Sequence, residues 1–171
     1  MKTIHTLSLV LLMVIVGCRE AAKEKKDSTL PPASKSTDID KIQLTDLKNQ
    51  GIDIKQYKGK TVFVNFWATW CKPCIAEMPS IQKLQTRLKD ENIIFLLASN
   101  EEVSEIEGFK NDNSYTFNYT RIINLESLNI QVIPTTYIYN PDGKLIFSEA
   151  GSRNWDDSAN IQMILKIMNQ K

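Results

Sequence analysis

The sequence predicts an α/β fold in which a central mixed β-sheet is flanked by helices on both faces, with a β-hairpin extension at the N-terminal side. Two observations lead to this prediction. Two short apolar runs, residues 61–67 and 93–98, enclose a stretch of helical spacing at residues 72–88, which is the order of a βαβ unit. Residues 135–148 then have the pattern of two strands joined by a tight turn, and residues 155–168 repeat apolar positions at helical spacing.

The N-terminal hairpin is predicted from alternating residue types around a turn. Ile42 and Leu44 alternate with polar residues, and a turn signal at residues 49–51 (NQG) precedes Ile52 and Ile54. We therefore expect two short antiparallel strands before the βαβ unit.

The first strand of the βαβ unit, residues 61–67 (TVFVNFW), is apolar on both faces apart from Asn65. This pattern is typical of a buried central strand. The helix that follows keeps its apolar spacing to about Leu88, and Pro79 within it is expected to cause a kink. Residues 93–98 (IIFLLA) are a second buried strand.

In the second half of the chain, some helix and strand patterns are weaker than others. A modest helix is expected at residues 103–111 and a strand at residues 119–123. Residues 140–143 (NPDG) form the tight turn of the later hairpin. The final helix is expected to be capped by Asn154 or Asp156.

The beginning of the chain has the features of an export signal. An apolar run at residues 7–16 is too short to span a bilayer comfortably and suits the core of a secretory signal. It ends in residues 15–18 (IVGC), which resemble a bacterial lipobox, the signal in which the cysteine receives diacylglycerol. We predict a lipoprotein signal peptide at residues 1–17 and lipidation of Cys18. The alternative is an ordinary signal peptide, or a short anchor, with an incidental cysteine.

Residues 18–37 are predicted to be a flexible tether that starts at the lipidated cysteine. They are polar, contain two adjacent prolines and show no apolar periodicity. The remainder, residues 38–171, has no internal repeat and no second long linker, so we assign it to one globular domain.

Composition argues against several classes of function. The only histidine, His5, lies in the predicted signal, so the mature domain has no His-assisted nucleophile and no His-containing zinc site. With Cys18 lipidated, the two remaining cysteines are fewer than the four ligands of zinc ribbons and iron–sulfur clusters. The formal net charge is +1 and no basic stripe is present. We expect no metal ion, no cofactor and no nucleic-acid partner.

Cys71 and Cys74 occur in the stretch WATWCKPCIAEMP, where a strand pattern meets a helix pattern. The C-x-x-C spacing alone is compatible with a metal site, a structural staple or a redox pair. Unpaired N–H groups and the dipole at a helix start favour a thiolate, which is the nucleophile of disulfide exchange. Cys74 lies one turn further and inward, and Pro73 suits the first turn. Because a static crosslink over so short a loop adds little stability, an exposed, labile redox pair is the favoured interpretation.

The fuller stretch FWATWCKPCIAEMP resembles the TlpA/ResA-like branch of membrane-tethered thiol-disulfide oxidoreductases, which have the thioredoxin-like fold. The segments YKGK, IPTT and PDG agree with it in order, and the resemblance extends from about Ile42 to the C-terminus. It implies that Cys71 is the attacking thiol and Cys74 the resolving one. It also implies that Pro134 is cis, against the base rate for prolines, and that Ile133 offers its backbone to an extended substrate segment.

Glu77 is the candidate proton acceptor for Cys74, or a group that tunes the pKa of that thiol, as the resemblance implies. Many thioredoxins carry an aspartate in the preceding strand, where this chain has Asn65, which does not take up a proton at ordinary pH. The alternative is that Glu77 faces solvent, as most helical glutamates do. The resemblance makes Trp70 a partly exposed platform for substrate, whereas Trp67 is expected in the core.

The other residues near the motif are assigned to the active-site loop and to the protein surface. Lys72 and Pro73 are placed in the active-site loop. Lys72, Glu101 and Glu102 are expected to be solvated surface charges, the alternative being that they shape the choice of partner.

Together these features predict an exported, lipid-anchored oxidoreductase of the bacterial cell envelope, facing the periplasm, that reduces protein disulfides. The expected substrates are disulfide-containing envelope proteins, which in the resembling family often include apocytochrome c. Two further partners are expected: a membrane thiol donor that recharges the dithiol, and the membrane itself through the lipid anchor. The domain is expected to be a monomer.

Other functions stay open from the sequence. A net oxidant is one, because direction depends on the reduction potential. A non-catalytic binding or scaffold domain is another. A peroxidase of the peroxiredoxin group is disfavoured, since those enzymes usually have Thr-x-x-Cys and Ala68 occupies that position here.

Overall fold

The computed structural model describes residues 39–170. Its strands are β1 (Leu44–Thr45), β2 (Gly51–Ile52), β3 (Thr61–Phe66), β4 (Ile93–Ser99), β5 (Asn118–Ile122), β6 (Thr135–Tyr139) and β7 (Leu145–Ala150). They form one seven-stranded mixed sheet in the order β2-β1-β5-β4-β3-β6-β7. The predicted N-terminal hairpin is confirmed, since β1 and β2 pair antiparallel at one edge.

Strand β3 lies inside the sheet and is buried along its whole length. Successive side chains point to opposite faces, so that Phe63 enters one hydrophobic cluster while Val62 and Val64 enter the other. The strand pairs in parallel with β4 and antiparallel with β6. The predicted buried strand is confirmed, and its C-terminal end leads directly to Trp67 and the cysteine motif.

Three α-helices pack on one face of the sheet: α1 (Lys72–Arg87), α2 (Val103–Asp112) and α3 (Ser158–Met168). Buried residues of all three, including Ile81, Ile106 and Ile164, share one cluster with Phe63. Helices α1 and α2 connect β3 to β4 and β4 to β5, and both connections move across the sheet in the same direction. Because parallel crossovers are right-handed, both helices lie on the same face.

The other face is covered by 3-10 helices at Ile39–Lys41, Ile54–Tyr57 and Leu125–Leu128. Ile54 and Leu128 are buried there in a second cluster, to which no α-helix within residues 39–170 contributes. The expectation of helices on both faces is therefore met only by these short turns. No α-helical layer covers this face in the described part of the chain, because both parallel crossovers advance the same way.

Helix α3 begins later than the apolar pattern predicted. Its N-cap is Asp157, whose carboxylate accepts the N–H of Ala159 at 3.2 Å, so the assignment to Asn154 or Asp156 is wrong. Trp155 extended the apparent helical pattern, but it lies in the preceding turn with its ring in the core.

Several expectations are not tested by the described residues. Helix α1 continues through Pro79, and the expected kink stays a prediction. Within residues 39–170 no helix has both the length and the apolar character needed to cross a bilayer. The predicted signal peptide (1–17), Cys18 and the tether (18–37) lie outside the described residues.

Candidate active site

Cys71 and Cys74 lie where the chain leaves β3 and enters α1. Cys71 is the N-cap residue, and its Sγ accepts the backbone N–H of Cys74 at 3.3 Å. The two sulfur atoms are bonded to each other, and the Cα atoms are 5.3 Å apart. Lys72 and Pro73, expected in a loop, are instead the first residues of α1, where a missing proline N–H leaves no helical hydrogen bond unmade.

The disulfide is more buried than the sequence suggested. Cys74 is 0% exposed and Cys71 only 4%. The expectation of an exposed disulfide is therefore wrong, because both cysteines are buried. Trp67, buried as expected, belongs to the same cluster. Trp70, directly before Cys71, is 72% exposed. Any partner therefore approaches the pair from the Cys71 side, next to an exposed indole.

Glu77 is buried in α1 and does not face solvent. It lies three residues after Cys74, on the same side of α1, and is 4% exposed. Its Oε1 accepts Asn65 Nδ2 at 2.7 Å, and its Oε2 accepts the backbone N–H of Arg153 at 3.0 Å and Trp155 Nε1 at 3.3 Å. Burial raises the pKa of the Glu77 carboxyl above its ordinary value, and the three hydrogen bonds oppose that rise.

Asn65 connects this carboxylate to the neighbouring strand. Its Nδ2 also donates to Thr136 Oγ1 at 3.0 Å, whereas its Oδ1 is buried without a hydrogen-bond partner in the described part of the chain. The amide thus acts as a double donor between β3, β6 and α1. It holds Glu77 in place but cannot exchange a proton itself.

The loop before β6 lines the same region. The peptide bond between Ile133 and Pro134 is cis, as the resemblance implied. Among residues 39–170, no hydrogen bond engages the backbone N–H or C=O of Ile133, while Pro134 O accepts the N–H of Gly151 at 2.7 Å. Val132, just ahead, is an exposed apolar residue. The loop therefore presents free backbone groups beside an apolar surface.

Glu101 is a residue whose position the sequence did not reveal. Its carboxylate accepts the backbone N–H of Thr69 at 2.8 Å, the Thr69 hydroxyl at 2.7 Å and the Ser99 hydroxyl at 2.8 Å. The expectation of a solvated charge is wrong here, because this carboxylate ties the end of β4 to the loop that precedes Cys71. A signal was present: polar residues at the carboxyl end of a parallel strand commonly take part in sites. Lys72 and Glu102 are exposed as expected.

Trp155 and Arg153 also went unrecognised in the sequence as parts of this site. Both belong to the turn between β7 and α3 and reach Glu77 from 78 and 76 residues away in the chain. Local patterns carry no information about contacts of that separation. The site thus combines β3, α1, the loop before β6 and the turn before α3.

Comparison with known proteins gives a consistent result. Residues 36–148 match the model of the AhpC/TSA family. The chain is 35% identical over 109 residues to a thiol-disulfide oxidoreductase ResA of Bacillus cereus, covering 60% of this chain and 62% of that protein. The chain thus spans about three-fifths of the length of that curated relative.

Two solved structures show the same fold. One is a putative thiol:disulfide interchange protein DsbE from Chlorobium tepidum, with a TM-score of 0.69 and 19% identity over 79% of this chain and 99% of that one. The other is the thioredoxin domain of a thiol-disulfide oxidoreductase from Bacteroides vulgatus, with a TM-score of 0.63 and 23% identity over 75% and 93% of the two chains. The predicted thioredoxin-like fold is confirmed.

Proposed function

The chain belongs to the AhpC/TSA family, and from that premise we propose that it is a thiol-disulfide oxidoreductase that reduces protein disulfides through Cys71 and Cys74. The observation that carries this proposal is the pair itself. A cysteine at the N-cap of α1 is bonded to a fully buried second cysteine one turn later. The similarity to proteins named thiol-disulfide oxidoreductase supports the same reaction.

In the reducing direction the reaction starts from the dithiol form. The Cys71 thiolate, stabilised by the N–H groups of the first helical turn, attacks one sulfur of the substrate disulfide and expels the other as a thiolate. Cys74 then attacks Sγ of Cys71, which releases the second substrate thiol and leaves the domain oxidised. Two electrons pass to the substrate, so an external thiol donor must reduce the Cys71–Cys74 disulfide again.

Glu77 is the group that we assign to the second step. Cys74 reacts only after losing its proton, and it is fully buried, so bulk water is a poor acceptor. Glu77 is the buried carboxylate on the same side of α1, and burial raises its pKa above the ordinary value, which makes it a stronger proton acceptor. We propose that it takes the Cys74 proton during release of the mixed disulfide.

The surface around the disulfide is suited to an extended polypeptide. The unpaired backbone of Ile133 offers one donor and one acceptor, as a strand edge does. The exposed side chains of Trp70 and Val132 supply apolar contact. A cavity of about 680 Å³, lined by uncharged residues that include Val132 and Ser148, opens beside this loop. We propose that substrate pairs with Ile133 beside Pro134.

The cellular setting is part of the same proposal. The resemblance to the TlpA/ResA-like branch, together with the signal-like residues 1–17 and Cys18, supports a lipid-anchored protein on the periplasmic side of the bacterial envelope. Its substrates would be envelope proteins with disulfides, apocytochrome c among them. A membrane thiol donor would recharge the dithiol, and the domain would act as a monomer.

Trapping tests the reaction. A reduced Cys74→Ser variant, mixed with an oxidised peptide that contains a C-x-x-C-H disulfide, should accumulate a mixed disulfide on Cys71 because the resolving thiol is missing. Mass spectrometry after alkylation measures it. The matched Cys71→Ser variant should form far less adduct, since its remaining thiol is buried. No adduct with Cys74→Ser would contradict the proposal and favour a non-catalytic binding domain.

Equilibration of the wild-type protein, which has both cysteines, with glutathione decides the direction of electron flow. A reduction potential of about −270 mV supports a reductase, and one of about −120 mV supports a net oxidant instead.

A further inference from the structure

The turn between β7 and α3 places one tryptophan against Glu77. Trp155 is 1% exposed, and its ring makes edge contacts with Phe63 at 4.8 Å and Phe147 at 6.0 Å between centroids. Its backbone N–H donates to Ser80 Oγ at 3.0 Å. Packing on two sides and this hydrogen bond fix the direction of the indole.

The fixed indole points its only polar atom at the buried carboxylate. Trp155 Nε1 donates to Glu77 Oε2, which also accepts the backbone N–H of Arg153, while Oε1 accepts Asn65. The carboxylate is therefore held by three N–H groups from three different residues. Of these, the amide of Asn65 also serves Thr136, and the donor of Arg153 is backbone. Trp155 is the one side-chain donor that serves Glu77 alone among the described contacts.

Charged side chains on the segments around the carboxylate are either paired with one another or exposed to solvent. Arg153 forms an ion pair with Glu149 at 3.2 Å and lies over the rings of Phe147 and Trp155. Of the other titratable groups on α1 and on the turn before α3, Lys72 and Asp157 are exposed, and Lys83 and Arg87 both pair with Asp156. Tyr137 and Tyr139 of β6 belong to the cluster on the other face of the sheet. The hydrogen bonds are thus the local means of stabilising the carboxylate over the neutral acid.

We propose that Trp155 is a positioning residue of the redox centre, whose indole N–H holds the Glu77 carboxylate in a fixed orientation. A hydrogen bond donated to a carboxylate favours its charged form, and in a buried site that effect is not screened by water. An effect of Trp155 on catalysis rests on the proposed function of Glu77. Its effect on the protonation of Glu77 does not depend on that function.

Replacing the indole by a ring without the donor tests the proposal directly. We expect Trp155→Phe to raise the pKa of Glu77 by about one unit, which is the size expected for one lost hydrogen bond to a charged group. NMR titration of the Glu77 side-chain carbon in the oxidised protein measures it, with no substrate present. The matched control is Trp67→Phe, an equally buried tryptophan whose Nε1 has no hydrogen-bond partner within residues 39–170. An equal shift in both variants, or none in Trp155→Phe, would overturn the proposal.

A second variant keeps the test decisive if Trp155→Phe does not fold. Ser80→Ala removes the hydroxyl that binds the Trp155 backbone and also donates to Glu77 O at 2.7 Å, while leaving the indole in place. Loosening this turn should raise the pKa of Glu77 in the same direction by a smaller amount. An unchanged titration in Ser80→Ala would then count against the proposal.

A double-mutant cycle separates this inference from the proposed function. If Glu77 serves Cys74, Trp155→Phe should shift the pH profile of mixed-disulfide release, and should no longer do so when Glu77→Gln is also present. A shift that persists in the double variant would mean that Trp155 acts only through packing, which overturns its positioning role. A titration shift without any kinetic shift would support the role of Trp155 and count against Glu77 as the proton acceptor.

Discussion

At the scale of single residues, the buried hydrogen-bonded pair Asn65 and Glu77 combines an amide, which cannot take up a proton, with a carboxylate, which can. Asn65 occupies the position in β3 where many thioredoxins have an aspartate, and its amide only donates hydrogen bonds here. The buried titratable group of this pair is therefore Glu77 of α1. Because its folded-state pKa is raised, Glu77 contributes stability below its ordinary pKa of 4.5, and that contribution is lost as the pH rises through the raised value. Such an energetic cost at neutral pH is common for groups that serve a reaction.

Glu77→Gln should slow release of the mixed disulfide at neutral pH by at least about tenfold, since a positioned base contributes about a hundredfold or more. The rate of the wild-type protein should rise as the pH passes through the raised pKa of Glu77, and the variant should lose this step. Stopped-flow measurement of thiol release across pH detects both effects. Glu107→Gln, an exposed change on α2, is the control. Identical profiles for Glu77→Gln and wild type would disprove the role.

At the scale of elements, the start of α1 depends on a contact with the end of β4. The Thr69 N–H lies in the loop that enters the helix, and the Glu101 carboxylate accepts it together with two hydroxyls. Arg121 Nε in β5 in turn donates to Glu101 O at 3.1 Å. The position of Cys71 is therefore determined by three neighbouring strands as well as by the helix that it caps.

Glu101→Ala should lower the free energy of unfolding by about 1–3 kcal/mol, because it leaves a partly buried N–H without its acceptor. Glu101→Gln keeps an acceptor oxygen and should recover a good part of the loss. Urea denaturation measures the difference. The exposed Glu107→Ala should stay within about 0.5 kcal/mol of wild type. A loss of the same size in Glu107→Ala, or none in Glu101→Ala, would show that this contact does not stabilise the loop.

At the scale of the whole molecule, the sheet is stabilised unequally from centre to edge. Strands β3 and β4 are paired on both sides and lie between two hydrophobic clusters. Strand β2 has two residues, pairs with β1 alone and ends the sheet. Short edge strands open locally at a lower free energy than strands in the core.

Amide hydrogen exchange should therefore separate the strands into a slowly exchanging and a rapidly exchanging class. Amides of β3 and β4 should exchange only through global unfolding, whereas those of β2 should exchange at least about a hundredfold faster. Exchange monitored by NMR under native conditions measures this ratio. Similar protection in β2 and β3 would mean that the hairpin opens only together with the core.

The sequence by itself determined the elements and the reactive pair. The strand before Cys71, the helix after it and the hairpin around residues 140–143 could all be predicted, because local periodicity and turn residues act over a few residues of chain. The cis form of Pro134 was implied by the family resemblance alone, against the base rate for prolines. Even there, Trp155 was misread as helical because an apolar residue next to a helix fits its spacing.

The tertiary structure alone decided which side chains meet around the disulfide and how deeply it is buried. Two right-handed crossovers that advance in the same direction put the α-helices that they contain on one face, and this face closes over Cys74 and Glu77. The contacts of Glu77 with Trp155 and of Thr69 with Glu101 join residues 78 and 32 positions apart. No local pattern encodes them, because their geometry arises only when the order of strands across the sheet is set.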